Sequence, residues 1–381
     1  MEPNHRIPLV VRLISVFLLL YLFLVSISLI GASFKLFGKS FAEELIATCS
    51  DPLIGLFVGI FATSLIQSSS TTTSLIVGFV GGGALTVEVA IPMIMGANIG
   101  TTVTNLLVSM GFVARKEDFR RAFGGAVVHD FFNLYSVMLL LPLELIFHPI
   151  QKSAVWLTGI FATAGGAKFT SPLKMIIKPA VHAMQDFFGE TIGLGDTATG
   201  ILMLILAATV LVASLIYLVK TMRIIIVERA EKVIDRFLFR NDFTAFVLGL
   251  CITVAVQSSS VTTSLIVPLV GAGIVTLKRC FPYTLGANLG TTCTALLASL
   301  ATVSVTGSGE VCAIGVTAAF AHLMFNVFGS IVFYPLKRVP IGSARMLADL
   351  AAESKRWAII FLLGVFFVIP FLVILLGRML G

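Results

Sequence analysis

Two stretches of this chain, 190 residues apart, are nearly the same sequence. Gln67 to Thr86 reads QSSSTTTSLIVGFVGGGALT and Gln257 to Thr276 reads QSSSVTTSLIVPLVGAGIVT, with 14 of 20 positions identical. At the same offset, Gly96 to Leu107 (GANIGTTVTNLL) and Gly286 to Leu297 (GANLGTTCTALL) share 9 of 12. His129-x-x-x-Asn133 returns, after a small insertion, as His322-x-x-x-Asn326. Any fold must therefore use one architecture twice.

That architecture is helical and lies in a bilayer. Leu13 to Ile30, Gly200 to Val219 and Trp357 to Leu376 hold no charged side chain, and about 20 apolar residues span a hydrocarbon core of roughly 30 Å. Only 12% of the chain is charged, against about 25% in soluble domains. The first span is too long for a cleaved signal, even with Arg6 and Arg12 before it, and reads as retained. The net charge of +7 sits in short loops between apolar segments, where topology explains it better than nucleic acid does. Cys49, Cys251, Cys280, Cys293 and Cys312 have no CxxC spacing, so neither a disulfide framework nor a transition-metal site is indicated.

Loop charges orient the halves. The loop from Gly81 to Glu88 has no basic residue while its equivalent holds Lys278 and Arg279; the next loop carries Arg115, Lys116, Arg120 and Arg121 while Thr302 to Glu310 has none. Equivalent loops on opposite sides are the mark of inverted-topology repeats. The expected fold is an all-α polytopic membrane protein of two inverted repeats, each with a re-entrant helical hairpin and discontinuous helices. Residues 1–150 form the first repeat, 151–198 an external connection, 199–340 the second repeat, and 341–381 an interfacial segment with an extra transmembrane helix. Lys220 to Arg240 is expected inside, as a topology-setting loop or a surface amphipathic helix.

The apolar arms Pro52 to Ile66 and Thr71 to Gly81 are about 22 Å and 17 Å long as helices, too short to cross alone. Each QSSS therefore reads as the tip of a hairpin, at 67–70 and 257–260. Serine is a favoured N-cap, so each tip should open a helix whose free amides and positive dipole end favour an anion. No Arg or Lys lies in either block; hydroxyls and amides must bind, and co-bound cations would supply the missing charge. Asn98 and Gly100, and Asn288 and Gly290, are expected to interrupt helices, leaving carbonyls and the hydroxyls of Thr101, Thr102, Thr291, Thr292 and Thr294 for Na+. The competing reading is close helix packing, since Gly96 to Gly100 and Gly286 to Gly290 are GxxxG pairs. Asp130, an acid within an apolar segment whose counterpart is Leu323, is a functional candidate. His129 and His322 read as donors to neighbouring helices rather than proton relays. No HExxH or GxSxG occurs, so an enzyme is not expected.

QSSSTTTS, GANIGTT, FRRAFGGAVVHDFFN and the second-copy motifs closely resemble the type II sodium-dependent phosphate cotransporters over Leu13 to Pro340. The resemblance implies a plasma-membrane symporter of bacterial type that takes up inorganic phosphate with Na+ by alternating access and needs no cofactor beyond the coupling ion. It assigns phosphate to Ser68, Ser69, Ser70, Ser258, Ser259 and Ser260. It assigns sodium to Asn98, Thr101, Asn288, Thr291 and Thr294, with Gln67 and Gln257 beside them, and Asp130 matches the acid that marks electrogenic members. Two departures are visible: His148 to Thr199 has no cysteine or asparagine, and Ala287 stands where some relatives have serine. Another oxyanion as cargo, or an anion channel, stays open at this stage.

Overall fold

A computed structural model describes residues 9–48, 51–238, 241–305 and 311–380. Cys49, Arg240 and the end of the Thr302 to Glu310 loop lie outside them. The first half runs α1 (Leu9–Thr48), α2 (Pro52–Ile66), α3 (Ser69–Gly82), α4 (Val87–Gly100), α5 (Val103–Met110) and α6 (Lys116–Phe147). The connection holds α7 (Pro149–Phe161) and α8 (Ala167–Asp186), each followed by a π-helical turn. The second half runs α9 (Asp196–Leu238), α10 (Asp242–Val256), α11 (Ser259–Gly271) and α12 (Leu277–Leu300), then the two-residue strands β1 (Ser304–Val305) and β2 (Val311–Cys312), and α13 (Ile314–Phe333). The chain ends with α14 (Arg338–Glu353), α15 (Arg356–Leu363) and, across a π-helical turn, α16 (Ile369–Leu380).

Six of the described helical segments are long and apolar enough to cross a membrane: Val10–Phe37, Val87–Met110, Lys116–Phe147, Asp196–Met222, Ile314–Phe333 and Arg356–Gly377. Their outward faces are apolar, as at Phe17, Met138, Ile331 and Ile360, because lipid rather than water surrounds them. The protein is a multi-pass, all-α membrane protein.

The hairpin arms form as their lengths require. Asp51 caps α2 with Pro52 in its first turn, and the arm ends at Gln67. The stretch from Lys220 continues α9 to Leu238 with no separate loop.

One expectation fails. The first GANxGTT block does break its helix, at Thr101–Thr102 between α4 and α5, but α12 runs unbroken through Gly286 to Thr294. The copies differ in what takes the carbonyls there: Asn133 Nδ2 donates to the Asn98 carbonyl at 3.0 Å and Ser260 Oγ reaches the Thr101 carbonyl at 3.5 Å, while no side chain among the described residues takes the Asn288 or Thr291 carbonyl. Close packing is common to both copies. A methyl group at Gly286 would lie 1.9 Å from the Phe246 carbonyl oxygen, and one at Gly249 would lie 2.1 Å from that of Tyr283. Glycine here lets α10 and α12 touch backbone to backbone. The first copy repeats the device, with Gly96 against Leu56 and Gly59 against Met93. Among the described residues the GANxGTT block thus interrupts its helix in the first copy and not in the second.

Contacts between the halves are reciprocal. α3 packs on α12 and α13, and α11 packs on α5 and α6; α7 lies on α13, and α14 on α6. α1 packs along α9, its counterpart at the 190-residue offset, with Ser33 and Phe37 against Gly200 near the start of α9.

Candidate functional site

At both tips a glutamine takes the left-handed conformation, Gln67 at φ 56° and Gln257 at φ 59°, which costs a non-glycine residue about 1–2 kcal/mol. The next serine returns to extended backbone and caps the outgoing helix. Ser68 Oγ accepts from the Thr71 amide at 3.2 Å and Ser258 Oγ from the Val261 amide at 3.3 Å. The following threonines turn inward on their own helix: Thr73 Oγ1 donates to the Ser69 carbonyl at 2.8 Å and Thr263 Oγ1 to that of Ser259 at 2.7 Å. What remains at each helix start is the pair of amides and hydroxyls of Ser69–Ser70 and Ser259–Ser260, all four residues buried. An α-helix gives its first amides no internal partner and a positive dipole end.

The two tips meet. Ser70 Oγ donates to the Gln257 carbonyl at 3.3 Å, and Ser260 Oγ reaches the Thr101 carbonyl at 3.5 Å, at the α4–α5 break. Residues 187 and 159 positions apart are thereby joined at one place.

Beside this junction is a polar core that joins α4, α6, α12 and α13. Asn288 Nδ2 donates to Asn133 Oδ1 at 2.9 Å and to Asn326 Oδ1 at 2.7 Å; Asn133 Nδ2 donates to the Asn98 carbonyl at 3.0 Å. His322 Nε2 lies 3.3 Å from Asn98 Oδ1, and His129 Nε2 lies 3.2 Å from Asn133 Nδ2. All six residues are buried. Burying so many amides is tolerable because each finds partners, and no charge enters the network.

The sodium candidates divide. Asn98 and Asn288 sit in that core. Gln257 Oε1 accepts from Thr294 Oγ1 at 2.9 Å, while Gln67 is exposed and its side chain makes no hydrogen bond among the described residues. Thr101 and Thr291 hydroxyls donate to carbonyls one turn back on their own helices, at 3.1 and 3.2 Å. Asp130 is buried on α6, facing Thr102, and neither of its oxygens makes a hydrogen bond among the described residues. An unpaired carboxylate in such a place invites a cation. The described contacts join Ser70 to Gln257, Gln257 to Thr294 and Ser260 to Thr101, hold Asn98 and Asn288 in one network, and leave the Gln67 side chain without a partner among the described residues.

Sequence reasoning underrated Asn133 and Asn326, whose recurrence one helical turn after a histidine in both copies was the available signal. It passed over Asn105, which donates to Thr263 Oγ1 at 2.8 Å and so ties α5 to α11; its counterpart is Ala295, so the repeat offered no hint. It also passed over Thr63 and Thr253, buried hydroxyls at equivalent positions that make no hydrogen bond among the described residues and lie against Gly100 and Gly290.

Residues 22–146 and 197–347 match the sequence profile described as Na+/Pi-cotransporter. The chain belongs to the Na+/Pi-cotransporter family. It is 32% identical to human sodium-dependent phosphate transport protein 2B over 94% of this chain and 64% of that protein. It is 34% identical to the 2A protein of Rattus norvegicus and 35% identical to that of Mus musculus, in each case over 93% of this chain and 66% of the relative. The chain thus spans about two thirds of the length of these relatives or slightly less. No solved structure matches it significantly. The Na+/Pi-cotransporter profile covers both QSSS tips, both GANxGTT blocks, Asp130 and the Asn–His core.

Proposed function

We propose that this chain takes up inorganic phosphate across the plasma membrane, coupled to sodium entry, by alternating access. The observation that carries the reading is the meeting of two serine-capped, uncharged helix N-termini at Ser70 and Gln257. Four buried serine residues present amides and hydroxyls there, enough donors for one tetrahedral oxyanion without a fixed positive charge that would hinder release. The relatives are named for sodium-dependent phosphate transport, and phosphate suits this donor set.

In this proposal Ser68 and Ser258 shape the tips, and Ser69, Ser70, Ser259 and Ser260 hold phosphate. Sodium supplies the compensating charge. Gln257 with Thr294 offers one oxygen pair, and Asp130 beside the irregular turn at Thr101–Thr102 offers a second place. Thr291, Asn98 and Asn288 lie close to these groups in sequence and in the core, whereas Gln67 joins only if its tip moves. With Asp130 ionised, transport carries net charge inward and gains about 2.3 kcal/mol per charge per 100 mV.

The two halves act as inverted repeats with the boundaries given above. Supporting this, the equivalent helices α1 and α9 pack with opposite ends together, Ser33 and Phe37 of one meeting Gly200 of the other. Rocking of one half against the other would then expose the junction alternately to each side.

Uptake of labelled phosphate into proteoliposomes tests the reading. Saturable accumulation that needs an inward sodium gradient is expected; an equal flux with potassium in place of sodium would overturn it, and conductance without coupling would indicate a channel.

A further inference from the structure

A groove of about 400 Å³ lies between α1 and α8, reaching the ends of α3 and α12. Lys35, Lys178 and His182 line it together with Ile27, Ile177 and Val181, and no acidic residue does. Among the described residues none of the three basic side chains has an ion-pair or hydrogen-bond partner. Both α1 and α8 thus contribute uncompensated basic side chains and apolar ones to the same groove.

The groove also has a defined depth. Lys35 is two residues short of the end of the apolar span Val10–Phe37, and Ser33 and Phe37 pack on Gly200, near the start of the span Asp196–Met222. Two membrane-crossing helices thus reach the water interface beside it. α8 runs alongside α1: Ile177 and Val181 turn inward while Met175 and Ile176 are largely exposed, and Tyr21 Oη, near the middle of the α1 span, donates to the Ile176 carbonyl at 3.3 Å, so the groove runs inward from the Lys35 end.

We propose that this groove binds an anionic membrane phospholipid, with its headgroup phosphate on Lys35 and Lys178 and an acyl chain along Ile27 and Ile177. Charge complementarity selects a net-negative headgroup over a zwitterionic one, and the apolar side chains select a lipid over free phosphate. Basic recesses between transmembrane helices take acidic headgroups on the same physical grounds. The site lies apart from the QSSS junction, so it stands or falls independently of the transport reading.

The test uses the full chain purified in a neutral detergent, with added phosphatidylglycerol, phosphatidylcholine or inorganic phosphate. Retained lipid is read by native mass spectrometry and the thermal midpoint by intrinsic fluorescence. Phosphatidylglycerol is expected to be retained and to raise the midpoint, and phosphatidylcholine to do neither. The K35Q/K178Q double variant should bind phosphatidylglycerol about thirtyfold more weakly, and K35R/K178R should restore binding. If the double glutamine variant does not fold, each single variant should show a partial loss. Equal retention of phosphatidylcholine, or undiminished phosphatidylglycerol binding by the glutamine variants, would overturn the proposal. So would a midpoint rise with inorganic phosphate that vanishes in K35Q/K178Q, which would assign the groove to the free anion.

Discussion

Gln67 and Gln257 form a natural pair for separating backbone strain from side-chain contact. Their backbones are alike, φ 56° and ψ 28° against φ 59° and ψ 25°, so replacing either by alanine leaves the left-handed turn and its cost unchanged. Their side chains differ. Gln257 is buried, accepts from Thr294 and donates through Nε2 to the Val254 carbonyl, whereas Gln67 is exposed and bonds nothing among the described residues. Losing two buried hydrogen bonds costs about 0.5–1.5 kcal/mol each, toward the lower end inside membrane proteins. Gln257→Ala is therefore expected to destabilise the protein by about 1–3 kcal/mol, and Gln67→Ala by less than about 0.5 kcal/mol. Reversible unfolding of both variants in detergent micelles, in the absence of sodium and phosphate, measures the difference. Equal losses, or a larger loss for Gln67→Ala, would refute the reasoning.

Gly286→Ala should force α10 from α12, since the new methyl would sit 1.9 Å from the Phe246 carbonyl oxygen, and cost about 3 kcal/mol or more. Gly342→Ala, with open space around it, should gain up to about 1 kcal/mol on the same unfolding assay. Asn288→Ala removes donors to Asn133 and Asn326 and should cost about 1–4 kcal/mol by the same measurement. Asp130→Gly should abolish the phosphate-induced current under voltage clamp while leaving some uptake, with a loss of about fiftyfold in voltage-driven accumulation at 100 mV. An unchanged current would refute the assignment of charge movement to Asp130.

Much of this was legible because the chain states its plan twice. The offset of 190 residues, the short arms and the serine caps identified both hairpins and the place where they should meet, since helix length and N-cap chemistry are local properties. The continuity of α12 was not legible. Asn288 and Gly290 carry the same local preference as Asn98 and Gly100, and the side chains that take the carbonyls at the first block, Asn133 and Ser260, come from far away in sequence. The Gln67–Gln257 asymmetry escaped for a related reason: identical neighbours in sequence do not have identical neighbours in space. Asn105 and Thr263 form their bond between halves, and no pattern within one half encodes it. The roles of Lys35, Lys178 and His182 depend on α8 folding back onto α1, which spacing along the chain does not reveal.

The central claim is that both serine turns build one shared anion site. Equilibrium binding of labelled phosphate to the purified chain, in saturating sodium, tests it most directly. The account predicts one phosphate per chain, with binding lost when Ser69 and Ser70 are replaced by alanine and lost again when Ser259 and Ser260 are replaced instead. Two phosphates per chain, each removed by altering one turn while the other still binds, would contradict it.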